Sequence, residues 1–214
     1  MVKNHTILSF GEEVANAISH GIPAFLILCA LPVVSIIAYT KGTLQDVVGV
    51  TIFSISLFLM FLMSTIYHIM APDTRHKNVL QILDHICIYI AIAGTYTPIA
   101  LSVIGGWLAI IILILQWAMV LFGILYKSLS KHSMPKASLM IYMIMGWTMV
   151  IFMPLMIQHS KIILFWLILT GGLFYSLGAV VYAQKRFKYF HMVWHIFVFL
   201  GALTHFIGIS FFMY

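Results

Sequence analysis

The sequence predicts an all-α protein, a bundle of seven transmembrane helices. Three observations carry that prediction. The 214 residues are 63% hydrophobic and only 7% charged, whereas soluble domains run at about a quarter charged. Mean hydropathy is +1.10. Apolar runs of membrane-spanning length, about 20 residues each, follow one another with only short polar punctuation between them. At this length that pattern leaves no room for a separate soluble domain, so residues 1–214 read as one integral membrane domain.

The spans fall at Ala17–Tyr39, Asp46–Met70, Val79–Leu101, Trp107–Tyr126, Lys136–Ile157, Lys161–Ala183 and His191–Phe212. Lys41-Gly42-Thr43 ends the first, Ala71-Pro72-Asp73 ends the second, and Ile104-Gly105-Gly106 parts the third from the fourth. Pro135 sits where a helix tolerates proline, at its start. Pro23, Pro32, Pro98 and Pro154 lie within or at the ends of spans, where a missing amide hydrogen favours a kink or an early end. Glu12 and Glu13 stand where a cleavable signal needs basic residues, and the first apolar run is long enough to span, so no cleaved leader is expected. Cys29 and Cys87 lie inside apolar runs and read as small hydrophobes rather than a disulfide framework.

Orientation follows from the basic residues. Lys3, Arg75, Lys77, Lys127, Lys131, Lys136, Lys185, Arg186 and Lys188 fall on one side of a seven-span topology, and only Lys41 and Lys161 on the other. The positive-inside rule then puts the N-terminus in the cytoplasm and the C-terminus outside. The same placement accounts for the basic pI of 9.4, and no basic arm for nucleic acid is present.

Ionisable groups in hydrocarbon are costly, so each one within a span is a candidate functional residue. In this topology His20, His68, Asp84, His85, His191 and His195 all lie near the cytoplasmic ends of their spans, and only His205 lies toward the outer half. His191 and His195 are spaced i, i+4, on one face of one helix, as two ligands of a single metal require. Ser64 and His68 share that spacing. Glu13, Asn16 and His20 fall at i, i+3 and i+7, again one face. Three imidazoles and an open fourth position are the pattern of a catalytic zinc, and His68, His191 and His195 are the expected ligands. Asp84 is then the group that positions water and takes its proton, with Ser64 holding water or a substrate carbonyl. Glu13, Asn16 and His20 are expected to support the ligands from behind or to cover the cytoplasmic opening. Plainer readings stand beside these. His205 and His85 read as packing histidines, the pair on the seventh span as imidazoles facing water at a helix end, and Asp84 as an ion-pair partner of Arg75 or Lys77.

The set Glu13-x-x-Asn16-x-x-x-His20, Ser64-x-x-x-His68, Asp84 and His191-x-x-x-His195, in this order and at this depth, resembles the haemolysin III proteins. These are the bacterial branch of the progestin and adipoQ receptor family, which includes the adiponectin receptors. The resemblance covers nearly the whole chain. It implies a seven-helix bundle with its N-terminus inside and zinc on three histidines matching His68, His191 and His195. It also implies an aspartate and a serine close by, matching Asp84 and Ser64. It further implies a bacterial plasma-membrane protein whose chemistry is hydrolysis of amide or ester bonds in a membrane lipid. Two other functions are weighed against it. A sensor or receptor with structural zinc needs a fourth protein ligand, for which His20 or Asp84 is available. A pore needs polar groups through the full membrane depth, and the outer halves of these spans carry no acid or base apart from His205.

Overall fold

The computed structural model describes residues 8–129, 135–184 and 187–213. Lys3, Lys131, Lys185 and Arg186, used above for orientation, lie outside the described residues, as does the side chain of Lys136. The elements are α1 (Phe10–Lys41), α2 (Leu44–Ile69), α3 (Arg75–Pro98), a π-helical turn (Ile99–Ile104), α4 (Gly106–Leu129), α5 (Pro135–Trp147), α6 (Met149–His159), α7 (Ile162–Gln184) and α8 (Phe190–Phe212). Among the described residues, seven helical stretches are long and apolar enough to cross a membrane. The protein is a multi-pass membrane protein of the predicted all-α class.

Helices neighbouring in sequence pack side by side from α1 to α4, α7 pairs with α8, and α8 returns to α1 to close the bundle. The short connections dictate most of this, since a turn of a few residues leaves two helices antiparallel and adjacent. At the α3–α4 turn Gly105 and Gly106 both take positive φ, +66° and +59°, a conformation that side chains resist.

Two elements differ from the apolar pattern. Helix α1 begins at Phe10, seven residues before the apolar run does. Ser9 caps it through a capping box with Glu12, so Glu13 and Asn16 are helical and share the face of His20. The fifth span is not one helix but two, α5 and α6, separated at Thr148. In hydrocarbon a broken helix must have its freed carbonyls satisfied by protein groups. Here the Tyr96 hydroxyl stands 2.7 Å from the Met145 carbonyl and 2.9 Å from the Gly146 carbonyl. The Thr148 hydroxyl donates to Met145 at 2.6 Å and accepts from Gln116 Nε2 at 2.9 Å.

Glu12 joins the first helix to the last. Its Oε2 accepts from the Ser9 amide at 2.9 Å, and its Oε1 accepts from the Tyr189 amide at 3.1 Å. Tyr189 is the N-cap of α8, in the left-handed conformation at φ +61°. One carboxylate thus serves the N-termini of two helices, where the partial positive charges of both dipoles favour it. This contact fixes the register of α1 against α8, and so of the polar face of α1 against His191 and His195.

Candidate metal centre

At the end of the bundle that carries Glu12, four helices bring together the residues singled out in the sequence. His68 comes from the last turn of α2, and His191 and His195 from the first two turns of α8. Each of the three offers one ring nitrogen, and these nitrogens lie within 4.8 Å of one another. His68 and His195 are 3% and 0% exposed; His191 is half-buried. Zinc–nitrogen bonds of about 2.0–2.1 Å at tetrahedral angles set ligand nitrogens about 3.4 Å apart. Small ring shifts therefore close this cluster on one ion.

The hydrogen bonds decide which nitrogens are available. His68 Nδ1 is 2.6 Å from Glu13 Oε2. A carboxylate only accepts, so Nδ1 carries the hydrogen and Nε2 keeps its lone pair. That Nε2 is buried with no hydrogen-bond partner. His195 Nδ1 lies 2.9 Å from the Ser19 hydroxyl, and its Nε2 is likewise buried and unpartnered. Unpaired polar atoms in a buried setting are costly and uncommon. Two of them on converging imidazoles fit a metal ion, which takes imidazole lone pairs directly. Neutral imidazole nitrogens suit a divalent transition metal such as zinc, copper or nickel.

The remaining side chains frame the cluster. Glu13 is held from its other oxygen by Lys77 Nζ at 2.6 Å, and the same ammonium donates to the Met70 carbonyl at the end of α2 at 3.0 Å. Lys77 therefore pairs with Glu13 and not with Asp84, which corrects one of the plainer readings of Asp84. Asp84 is buried, 7% exposed, and interacts with the Ser64 hydroxyl. His20 stacks flat on His195, ring centroids 3.5 Å apart and planes 12° from parallel. Both His20 nitrogens and both polar atoms of the Asn16 side chain are buried without partners. Neither His20 nor Asp84 belongs to the converging set, which among the described residues is His68, His191 and His195.

His85 and His205 are not drawn into the cluster. His85 Nδ1 donates to its own helix at the Gln81 carbonyl, 2.7 Å away. His205 Nε2 donates across to the Ile168 carbonyl on α7 at 3.0 Å, a helix-to-helix tie made possible by Gly171, whose missing side chain gives the ring its space. Two contributors escape the sequence reading. Ser19 lies three residues after Asn16 and was within reach of the helical-face argument. Lys77 reads in sequence as a topology charge or a partner of Asp84, and the fold brings it to Glu13 instead.

An apolar cavity of about 160 Å³ reaches His20, the ring stacked on His195. His20 and Asp84 are on its wall, and it continues between α3, α5, α6, α7 and α8 past Met143, Met153 and Trp194 to His205.

Glu13→Gln keeps a side chain of nearly the same shape but removes the charge that holds Lys77 and orients His68. It is expected to weaken metal binding by about 10-fold or more, read by competition with a chromogenic chelator on purified protein. Unchanged affinity would remove Glu13 from the support of His68.

The fold and the cluster together define a class, a multi-span membrane protein with a buried three-histidine group able to hold a metal ion. The chain belongs to the haemolysin III family: the family described as "Haemolysin-III related" matches residues 8–206. It is 36% identical over 201 residues to the "Hemolysin-3 homolog" of Bacillus subtilis (strain 168), covering 94% of each chain. It is 37% identical over 202 residues to the "Hemolysin-3" of Bacillus cereus, covering 94% of this chain and 92% of the relative. A more distant similarity, 27% over 209 residues, is to the "Monocyte to macrophage differentiation factor" of Homo sapiens, covering 95% and 85%.

Proposed function

We propose that this protein is a zinc-dependent hydrolase of amide or ester bonds in membrane lipids, acting in lipid homeostasis of a bacterial plasma membrane. One observation carries the proposal: Asp84, in contact with Ser64 one turn from His68, shares the wall of an apolar cavity with His20, the ring that stacks on His195 of the three-imidazole set. A structural zinc site closes with four protein ligands, and neither His20 nor Asp84 joins this set. The open position favours chemistry over scaffolding, and the cavity favours a substrate with hydrocarbon chains.

When bound, zinc polarises a carbonyl and lowers the pKa of water toward about 7. His68, His191 and His195 are the residues to hold it. Asp84 takes the proton of the attacking water at a carboxylate oxygen, and its contact with Ser64 holds the carboxyl in place. The acyl carbon gains the hydroxyl oxygen, the carbon–nitrogen or carbon–oxygen bond breaks, and the leaving group takes up the proton. The cavity receives the apolar part of the lipid and excludes bulk water from the reacting end. Glu13 and Lys77 keep His68 oriented throughout.

The test is turnover. Purified protein in lipid nanodiscs is incubated with a panel of N-acyl and O-acyl lipids, and released fatty acid is followed by mass spectrometry. Release that stops with a chelator and returns with added zinc is the expected result. Metal-loaded, folded protein that releases nothing from the panel would overturn the enzymatic reading.

A further inference from the structure

We infer that Ser19 is a positioning residue of the metal centre, fixing which nitrogen of His195 faces the ion. The inference rests on the metal-centre reading and adds to it a residue on a third helix, 176 positions from the histidine it controls.

The place of one hydrogen decides the tautomer of His195. Ser19 Oγ lies 2.8 Å from the backbone carbonyl of Asn16, one turn back on α1, and 2.9 Å from His195 Nδ1. A carbonyl oxygen only accepts, so the short contact to Asn16 commits the Ser19 hydroxyl hydrogen to that oxygen. The hydroxyl then offers only lone pairs to His195. Nδ1 must therefore be the protonated nitrogen, and Nε2 the nitrogen with a lone pair. The opposite assignment places two oxygens 2.8 Å apart with no hydrogen between them, which is repulsive. The Asn16 carbonyl also borders the His195 ring, so a second acceptor favours the same tautomer.

A serine bonded to a carbonyl in the preceding turn is by itself an ordinary helix feature. What distinguishes Ser19 is its second contact, to a fully buried ring that belongs to the converging set and whose other nitrogen is unpartnered. His68 is held in the same way by a carboxylate, Glu13. Both of these supports stand on α1, which contributes no ligand. Helix α1 is thus the element that sets ligand orientation, and Glu12 holds it in register with α8.

The test separates the hydroxyl from the shape of the side chain. Zinc affinity is measured by chelator competition on detergent-purified wild type, Ser19→Ala, Ser19→Thr and Ser19→Val, with helical content and melting checked for each. Threonine and valine match in shape and differ by the hydroxyl. The expected result is near-wild-type affinity in Ser19→Thr and affinity about 10-fold weaker in Ser19→Ala and Ser19→Val. The loss stays near this lower end because the Asn16 carbonyl remains. Nitrogen-15 histidine spectra of the zinc-loaded wild type are expected to show one imidazole protonated at Nδ1 whose signal changes in Ser19→Val but not in Ser19→Thr. Equal affinity in the Thr and Val variants, whether high or low, would overturn the role of the hydroxyl. Wild type that binds no zinc would instead overturn the metal-centre reading itself, so the two failures are distinguishable.

Discussion

Replacing His191 and His195 together by alanine is expected to take bound zinc from about one ion per chain to none while leaving the bundle folded. Two of three converging imidazoles are removed, and His68 alone cannot hold an ion against water or a chelator. The fold is expected to survive for a physical reason. Both residues lie in the first two turns of α8, alanine is the best helix former, and the change removes polar nitrogens from a site where they have an energetic cost. Metal content by elemental mass spectrometry, beside helical content and melting, checks both halves. A folded double variant that still carries zinc at the wild-type ratio would mean that the ion, wherever it sits, is not at this cluster.

The second large effect is at Asp84. Asp84→Asn preserves the size of the side chain and its ability to accept from Ser64, but an amide cannot take a proton from water. Metal content is therefore expected to stay at the wild-type level while lipid hydrolysis falls by about 10²–10⁴-fold, the usual contribution of a positioned general base. The contrast with the histidine variant is informative. One change abolishes the metal and with it the chemistry; the other abolishes the chemistry alone. Hydrolysis persisting at the wild-type rate in Asp84→Asn would take Asp84 out of the mechanism and direct attention to Glu13 and His20.

Much of this was legible in the sequence because lipid imposes severe rules. Seven apolar runs and their glycine and proline breaks follow from the need to bond every backbone group internally. The apolar run starts at Ala17 because Glu12, Glu13 and Asn16 are polar, although the i, i+3, i+7 spacing of Glu13, Asn16 and His20 already reads as one helical face. Yet Ser9 and Glu12 have the spacing of a capping box, and that pattern marks the true start. The break at Thr148 has no comparable local signal, since its partners Gln116 and Tyr96 lie 32 and 52 residues away. The same division holds at the histidine cluster. His191 and His195 betray themselves by an i, i+4 spacing within one helix. The bonds of Glu13 to His68, 55 residues apart, and of Ser19 to His195 exist only once the helices have met. Lys77 illustrates the opposite error: nearness in sequence pointed it at Asp84, and nearness in space gave it to Glu13.

The closure of α8 onto α1 through Glu12 bears on how the protein comes into being. During synthesis α1 and α2 are made before α8, and of the three converging histidines they carry only His68. The other two reside in α8, far along the chain from α2. Until α8 is in place the chain presents one of the three imidazoles, and one imidazole is a poor match for the three-ligand pattern of a metal site. The three nitrogens converge only when α8 docks against α1 and α2, so the site is a product of tertiary assembly rather than of any one helical hairpin.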